Sequence, residues 1–175
     1  MKVICSACGK YLGDKPSDVF GPDTISHGLC HPCAIRFQAE VGVPLDEYLE
    51  SLPAPTVVVT QEGTVNGANS SALSLLRKSP AQIQGNRGGD VFECRHARLP
   101  EGCGNTVHCS GCTIRQTVMD TMQTGEPHRE VLAYLNRALD EHITQVELLI
   151  STAKRDGIIF LQIDYMAPTT SSNAP

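Results

Sequence analysis

From Thr56 onward, apolar residues alternate with polar ones at the period of a strand, interrupted by two stretches at the period of a helix. Val57-Val58-Val59, the polar Gln61-Glu62-Gly63 and then Thr64-Val65 read as a strand, a tight turn and a second strand. Asn69 stands where it can cap a helix carrying Ala72, Leu73, Leu75 and Leu76, which ends before Ser79-Pro80. A second helix is marked at both ends. Thr113 and Gln116 have the spacing of a capping box, Ile114, Val118 and Met122 recur every four residues, and Gly125 with Pro127 closes it. Three strands follow: Val131 to Leu135, a second in which Val146, Leu148 and Ile150 alternate with Gln145, Glu147 and Ser151, and a third built on Ile159, Leu161 and Ile163. Asp156-Gly157 between the last two is a hairpin signal. Two strands, helices and three strands predict an α+β domain whose antiparallel sheet is covered on one side.

Before Thr56 the pattern changes. Pro44 can open a short helix with Leu45, Leu49 and Leu52 on one face, ended by Pro53 and Pro55. So short a helix is marginal alone, so its leucines must dock, most simply on the adjoining domain and otherwise on a second subunit. The polar stretch from Ala167 to Pro175 reads as a disordered tail. The chain thus divides into a module at 1–43, a connector at 44–55, a sheet domain at 56–166 and a tail at 167–175.

Composition narrows the function. The 175 residues carry 14 basic and 19 acidic side chains, a net charge of −5, and 41% of them are hydrophobic. That suffices for one domain and a small module, while no apolar run approaches the roughly 18 residues of a spanning helix. An acidic total gives no general grip on polyanions, and residues 1–43 balance four basic against four acidic side chains, so neither nucleic acid nor membrane is an expected partner. Eight cysteines are the unusual feature. Met1-Lys2-Val3-Ile4 reaches Cys5 without an apolar export segment, so the expected compartment is a reducing cytoplasm, where clustered thiols serve as metal ligands or redox groups.

Cys5-Ser6-Ala7-Cys8 and Cys30-His31-Pro32-Cys33 are two C-x2-C pairs separated by twenty-one residues. Each pair turns both sulfurs of a knuckle toward one ion, and together they complete a tetrahedral thiolate site, here expected to hold structural zinc in a zinc-ribbon-like module. Gly9 and Gly28 can take left-handed angles beside the pairs, and Ala34 to Val41 can form a helix behind the second. Neither pair is followed by the His of a haem-attachment motif, and no βαβ pattern supports a thioredoxin-like site. His27 and His31 are expected beside the ligands, with four cysteines already present.

The order of elements over residues 53–166 resembles the PAS family of sensory domains. The resemblance rests on the hairpin Thr56 to Val65, the Asn66-Gly67-Ala68-Asn69 helix entry, the Gly85 region, the helix closed by Thr124-Gly125-Glu126-Pro127, and the Lys154-Arg155-Asp156-Gly157 turn. It implies a five-stranded antiparallel sheet with helices on one face, frequent dimerisation, and sensing rather than catalysis. Cys5 to Cys33, with Ser26-His27-Gly28-Leu29-Cys30, is similar to small cysteine modules found beside bacterial signalling domains.

The departure from an ordinary PAS domain is an insert at 94–112, in which Cys94, Cys103, Cys109 and Cys112 end at the start of the capped helix. The helix N-terminus favours the thiolates of Cys109 and Cys112. From Arg77 to Arg115 six basic residues face three acidic ones, a local reversal of sign that suits an anionic thiolate centre or, alternatively, a basic loop that meets a partner. Zinc and an iron–sulfur cluster both suit such a thiolate set, with a reversible disulfide as a third use. The spacing C-x8-C-x5-C-x2-C lacks the two evenly separated C-x2-C pairs associated with iron–sulfur PAS sensors, which ranks zinc first. His96 and His108 are substitute ligands that four cysteines make unnecessary. The Asn-Cys motif of a photochemical flavin domain is absent, and eight aromatic residues without Trp make a poor flavin cage. Haem would need an axial ligand such as His108 or His128. Ile114, Val118, Met119 and Met122 have the spacing of core residues rather than of a cofactor pocket. The expected role is a non-enzymatic sensor or adaptor in bacterial signal transduction, acting on a protein partner, with a homodimer as the expected assembly. Two alternatives stand: a thiol–disulfide or metal-transfer enzyme using Cys109 and Cys112, and a PAS receptor for a small ligand in which both cysteine sets are structural zinc sites. His142 has no helical pair or ATP site beside it and is expected at a strand edge or in a loop rather than as a phosphoacceptor.

Overall fold

The computed structural model describes residues 2–14, 25–30, 32–34, 37, 42–139 and 142–169 of the chain. In chain order the elements are β1 (Lys2–Cys5), β2 (Tyr11–Asp14), β3 (Ile25–Gly28), α1 (Leu45–Ser51), β4 (Thr56–Val59), β5 (Val65–Ala68), α2 (Ser70–Leu76), α3 (Pro80–Ile83), α4 (Gly88–Val91), two 3-10 turns (Arg95–Arg98 and Val107–Gly111), α5 (Thr113–Thr124), β6 (His128–Leu139), β7 (His142–Arg155) and β8 (Ile158–Pro168). β4 to β8 form one antiparallel sheet in the order β5-β4-β8-β7-β6, and β1 to β3 form a small sheet in the order β2-β1-β3. Within the large sheet the second strand leads, followed by the first, fifth, fourth and third, and helices occupy the crossover between the second and third. The fold is PAS-like.

Burial explains the unbroken run Val57-Val58-Val59. Every residue of β4 is buried, because the central strands are covered on both faces. Val57, Val59, Ile159, Leu161 and Ile163 face the main core, where Ala72, Leu76, Val91, Phe92 and Val118 from the helical side pack against them. Val58 and its register partner Phe160 face the other way, into a second cluster with Cys5, Cys33, Phe37 and Leu49. The cysteine module and α1 therefore roof the centre of the sheet opposite the helices. Phe37, Tyr48 and Phe160 form a ring trio with centroids 5.5 to 6.3 Å apart, a spacing that favours edge and offset contacts. The docking expected of Leu45, Leu49 and Leu52 is thus onto the chain's own domain.

The helix entry at Asn69 forms as its position predicts. Its Oδ1 accepts from Ala72 N at 2.9 Å and from Thr56 N at 3.0 Å, while Nδ2 donates to the carbonyls of Leu52 and Ala54. One buried side chain ties α2 to β4 and the connector. At the Asp156-Gly157 turn both residues have positive φ, 44° and 77°, as a two-residue hairpin of the right twist requires.

Several expectations are corrected. Thr113 and Gln116 form no capping box: Cys112 is the N-cap of α5, and Gln116 Nε2 instead donates to Ser110 O, 2.7 Å away. The other end of α5 is closed by Gly125 at φ 79°, as the sequence predicts. Gly9 is left-handed at φ 71°, but Gly28 lies in β3 paired with Cys5. β6 and β7 extend well beyond their apolar alternation because ladder hydrogen bonds hold polar positions such as Asn136 and Gln145 in register. β8 runs to Pro168, so Ala167 and Pro168 are strand residues, while residues 170–175 of the expected tail lie outside the described residues. Most of the helix expected over 34–41 also lies outside them. No helix among the described residues is long and apolar enough to cross a membrane.

Candidate metal centres

β1 delivers Cys5 to a turn that ends at Cys8, and β3, pairing parallel to β1, delivers Cys30 opposite. The Cys5–Gly9 turn is closed by Gly9 N donating to Cys5 O at 2.9 Å, and the second by Ala34 N donating to Cys30 O at 2.9 Å. The sulfurs of Cys5, Cys8, Cys30 and Cys33 all lie within 4.8 Å of one another, and those of Cys8 and Cys30 are 3.7 Å apart. Cys5, Cys30 and Cys33 are buried and Cys8 is exposed. This group can hold one metal ion.

Four thiols so close cannot all ionise without a cation. Burial is the largest influence on Cys5 and raises it, but the backbone N–H groups of Cys30, Cys8 and Ala7 outweigh it and bring the thiol down to about 7. Cys33 goes strongly the other way, pushed up first by burial and then by the sulfurs of Cys30, Cys8 and Cys5. One thiol is thus ready to be anionic near neutrality and another stays protonated until a cation arrives. The side chain of His27 and the whole of His31 lie outside the described residues.

The second set is arranged differently. Cys94, Cys103, Cys109 and Cys112 line one cavity of about 480 Å³, together with the first turn of α5. Cys94 enters it after bridging to Arg137 of β6, Cys109 sits in the second 3-10 turn, and Cys112 caps α5. Among the described residues no three of these sulfurs lie within 4.8 Å of one another. Backbone groups point at them: Gly89 N donates to Cys103 Sγ at 3.2 Å and Gly104 N to Cys109 Sγ at 3.1 Å. Thr106 Oγ1 is 3.2 Å from Cys109 Sγ.

Those contacts separate the thiols. Burial works to raise Cys109, yet the hydroxyl of Thr106, the N–H groups of Gly104 and Thr106, and Arg115 together lower it. Burial raises Cys112 and Cys103, and the helix-start N–H groups of Arg115 and Ile114 only partly offset it at Cys112. His96 and His108 stack with ring centroids 3.9 Å apart and also line the cavity. Burial lowers His96 first, with His108 and Arg95 adding to the effect. His128 instead pairs with Asp120, 2.7 Å away, and His142 is an exposed residue at the start of β7.

Two supporting residues escaped the sequence reading: Gly89 and Thr106. A β-carbon on Gly89 would lie 2.7 Å from Cys103 Sγ and 2.9 Å from the Ala97 methyl, so only glycine admits the sulfur there. The signal was the Gly88-Gly89 pair just before the insert.

No family model matches the chain, and no curated protein matches it. Among solved structures it is similar to the Rhodobacter sphaeroides LOV protein, at 14% identity over 83% of this chain and 71% of that one, with a TM-score of 0.46. It is also similar to the photoactive yellow protein domain of the sensor histidine kinase Ppr from Rhodospirillum centenum, at 14% identity over 74% and 99%, with a TM-score of 0.43. A third is the PAS domain of nitrogen regulation protein NR(II) from Vibrio parahaemolyticus, at 15% identity over 72% and 99%, also with a TM-score of 0.43. At these identities and scores the likeness concerns the course of the backbone alone.

Proposed function

We propose that the chain is a non-enzymatic cytoplasmic sensor or adaptor in bacterial signal transduction. In this reading Cys5, Cys8, Cys30 and Cys33 hold a structural zinc ion, and Cys94, Cys103, Cys109 and Cys112 form the metal site that senses metal supply or redox state. The observation that carries it is the cavity wall: all four insert cysteines share one cavity with the start of α5. α5 in turn is tied to the sheet. Thr121 Oγ1 and Thr152 Oγ1 are 2.7 Å apart in the buried interface with β7, and Lys154 donates to the Met122 carbonyl near the helix end. Losing the metal or oxidising the thiols frees the insert and loosens the N-terminus of α5, which changes the packing of β7. The partner surface is the outer face of β6 to β8, where Leu132, Tyr134 and Tyr165 are exposed, and its occupant is a second copy of this chain. Leu132, Leu149 and Tyr165 follow one another across the register, so these residues form one patch.

The test compares the full chain before and after metal removal, using hydrogen exchange across residues 113–124 and mass by light scattering. Faster exchange at the start of α5 with a change in oligomer mass is the expected result. Unchanged exchange and mass after the insert has lost its metal would overturn the sensing role.

The lowered Cys109 thiol favours one second reading, a thiol–disulfide or metal-transfer enzyme acting through Cys109 and Cys112. Burial of Cys109 works against it, because an attacking thiolate must reach its substrate. Dithiol turnover that survives metal removal would establish the enzyme and displace the sensor.

A further inference from the structure

We propose that the insert thiols Cys94, Cys103, Cys109 and Cys112 hold an iron–sulfur cluster rather than a single ion. The inference rests on the metal-sensor reading and specifies what that site takes. A single tetrahedral zinc binds its thiolates at about 2.3 Å, which places the sulfurs about 3.8 Å from one another. The N-terminal set has this form, with 3.7 Å between Cys8 and Cys30 and all four sulfurs within 4.8 Å. The insert set shares a cavity, yet no three of its sulfurs come within 4.8 Å of one another. In a cluster bound by four thiolates, each iron takes one or two of them and never three, because bridging sulfides fill its other positions. The sulfurs are then spread around an inorganic core, and a cavity between them is what that core requires. Sulfur geometry therefore reverses the ranking that sequence spacing alone suggested.

The cavity wall matches in kind. Gly89 and Gly104 direct backbone N–H groups at Cys103 and Cys109, the type of bond that stabilises cluster sulfur and tunes its potential. Phe92, Ile114, Val118 and Leu135 supply an apolar shell that limits water. Arg87 and Arg115 approach the same loop, at 3.5 and 4.0 Å from where a β-carbon on Gly104 would lie, and offset the anionic charge of four thiolates. Loading is a ligand exchange from a cluster-carrying donor protein. Four thiols lose four protons and form four iron–thiolate bonds, the four bonds to the donor's thiolate ligands break, those released ligands take up the four protons, and no electron changes hands.

The experiment is anaerobic purification of the full chain, with zinc, iron and acid-labile sulfide counted per chain and the visible spectrum recorded. The expected result is about one zinc, with iron and sulfide in equal amounts at about two or four each, and broad visible absorption. C103S and C112S lose the iron, sulfide and absorption but keep the zinc and the far-ultraviolet signature of the fold, whereas C8S keeps the absorption. About two zincs without sulfide, or absorption that disappears with C8S and persists in C103S, would overturn the cluster while leaving a metal sensor in place. Free thiols and no metal at the insert would overturn both.

Discussion

A β-carbon on Gly157 would sit 3.0 Å from the carbonyl oxygen of Ala7, so the knuckle of the cysteine module and the β7–β8 turn meet backbone to backbone. Gln61 Nε2 donates to that same oxygen at 3.1 Å, and Asn66 Nδ2 donates to the neighbouring Ser6 Oγ. The module is seated on the sheet by its main chain as well as by the apolar cluster beneath it.

Substituting Gly157 separates two costs. Gly157→Ala meets both a left-handed φ of 77° and the Ala7 carbonyl, whereas Gly125→Ala meets a similar φ of 79° with nothing within 4 Å. The backbone term is about 1 to 2 kcal/mol in either case. Urea denaturation is expected to show G157A less stable than G125A, with its zinc more readily extracted by a chelator. Equal losses in the two variants would mean that the Ala7 contact yields without cost.

Metal removal from the N-terminal site should weaken the whole domain rather than release an independent arm. Cys5 and Cys33 pack in the same cluster as Val58 and Phe160 of the central strands. Chelation, or Cys33→Ser, is expected to cost on the order of 3 kcal/mol and to lower Tm by roughly 6 to 12 °C in one cooperative transition. Acid acts in the same direction. Zinc competes with protons for the thiolates, and backbone N–H groups bring Cys5 in the free site down to about 7, so release by a fixed chelator should steepen as pH falls below that point. Calorimetry that shows two separate transitions would contradict the shared core.

What the sequence disclosed follows from how local each determinant is. The Asn69 cap, the Asp156-Gly157 turn and the two C-x2-C knuckles each depend on a few adjacent residues, so their chemistry was legible. Coverage of both faces of β4 was not, since an apolar triplet such as Val57-Val58-Val59 does not say what lies on each side. That role falls to Phe37 and Phe160, which are far apart in sequence. At α5, Cys112 took the N-cap position because the preceding 3-10 turn ends there, leaving Thr113 inside the first turn. For the insert, the sequence identified four cysteines as a group, while their separation around a cavity depended on Gly89 making room for Cys103.

Asn69 provides a test of a single buried hub. Its side chain makes four hydrogen bonds, accepting two from backbone N–H groups and donating two to carbonyls. Asn69→Ala leaves those groups unpaired in a buried setting and is expected to cost about 2 to 4 kcal/mol, beyond the roughly 1 kcal/mol of an ordinary cap. Asn69→Asp keeps both accepted bonds but turns a carboxylate oxygen toward the carbonyls of Leu52 and Ala54, so it should rescue less than half of that loss at pH 7. Full rescue by Asp would show that the carbonyl contacts contribute nothing.

Glu93 sets an acid-side limit on the insert's attachment. It pairs with Lys78 and, at 3.3 Å, with Arg98, whose other contact is the Ala138 carbonyl on β6; Ala138 N in turn donates to Glu93 O. Burial is the largest influence on its carboxyl and raises it, but the two cations outweigh burial and hold it below the usual carboxylate range. A folded-state value below the unfolded one means that the stabilisation is complete above the unfolded carboxylate range and is lost as pH falls through the folded value. Glu93→Gln is therefore expected to cost about 1 kcal/mol at pH 7 and progressively less under acid, so that the stability curves of wild type and variant converge. Asp90 is raised first by burial and further by the charge of Glu93, so Glu93→Gln also relieves Asp90 and takes a little from the difference above the carboxylate range, which leaves the convergence under acid intact. Parallel curves from neutral to acid pH would show that the Lys78 and Arg98 pairs do not hold Glu93 in solution.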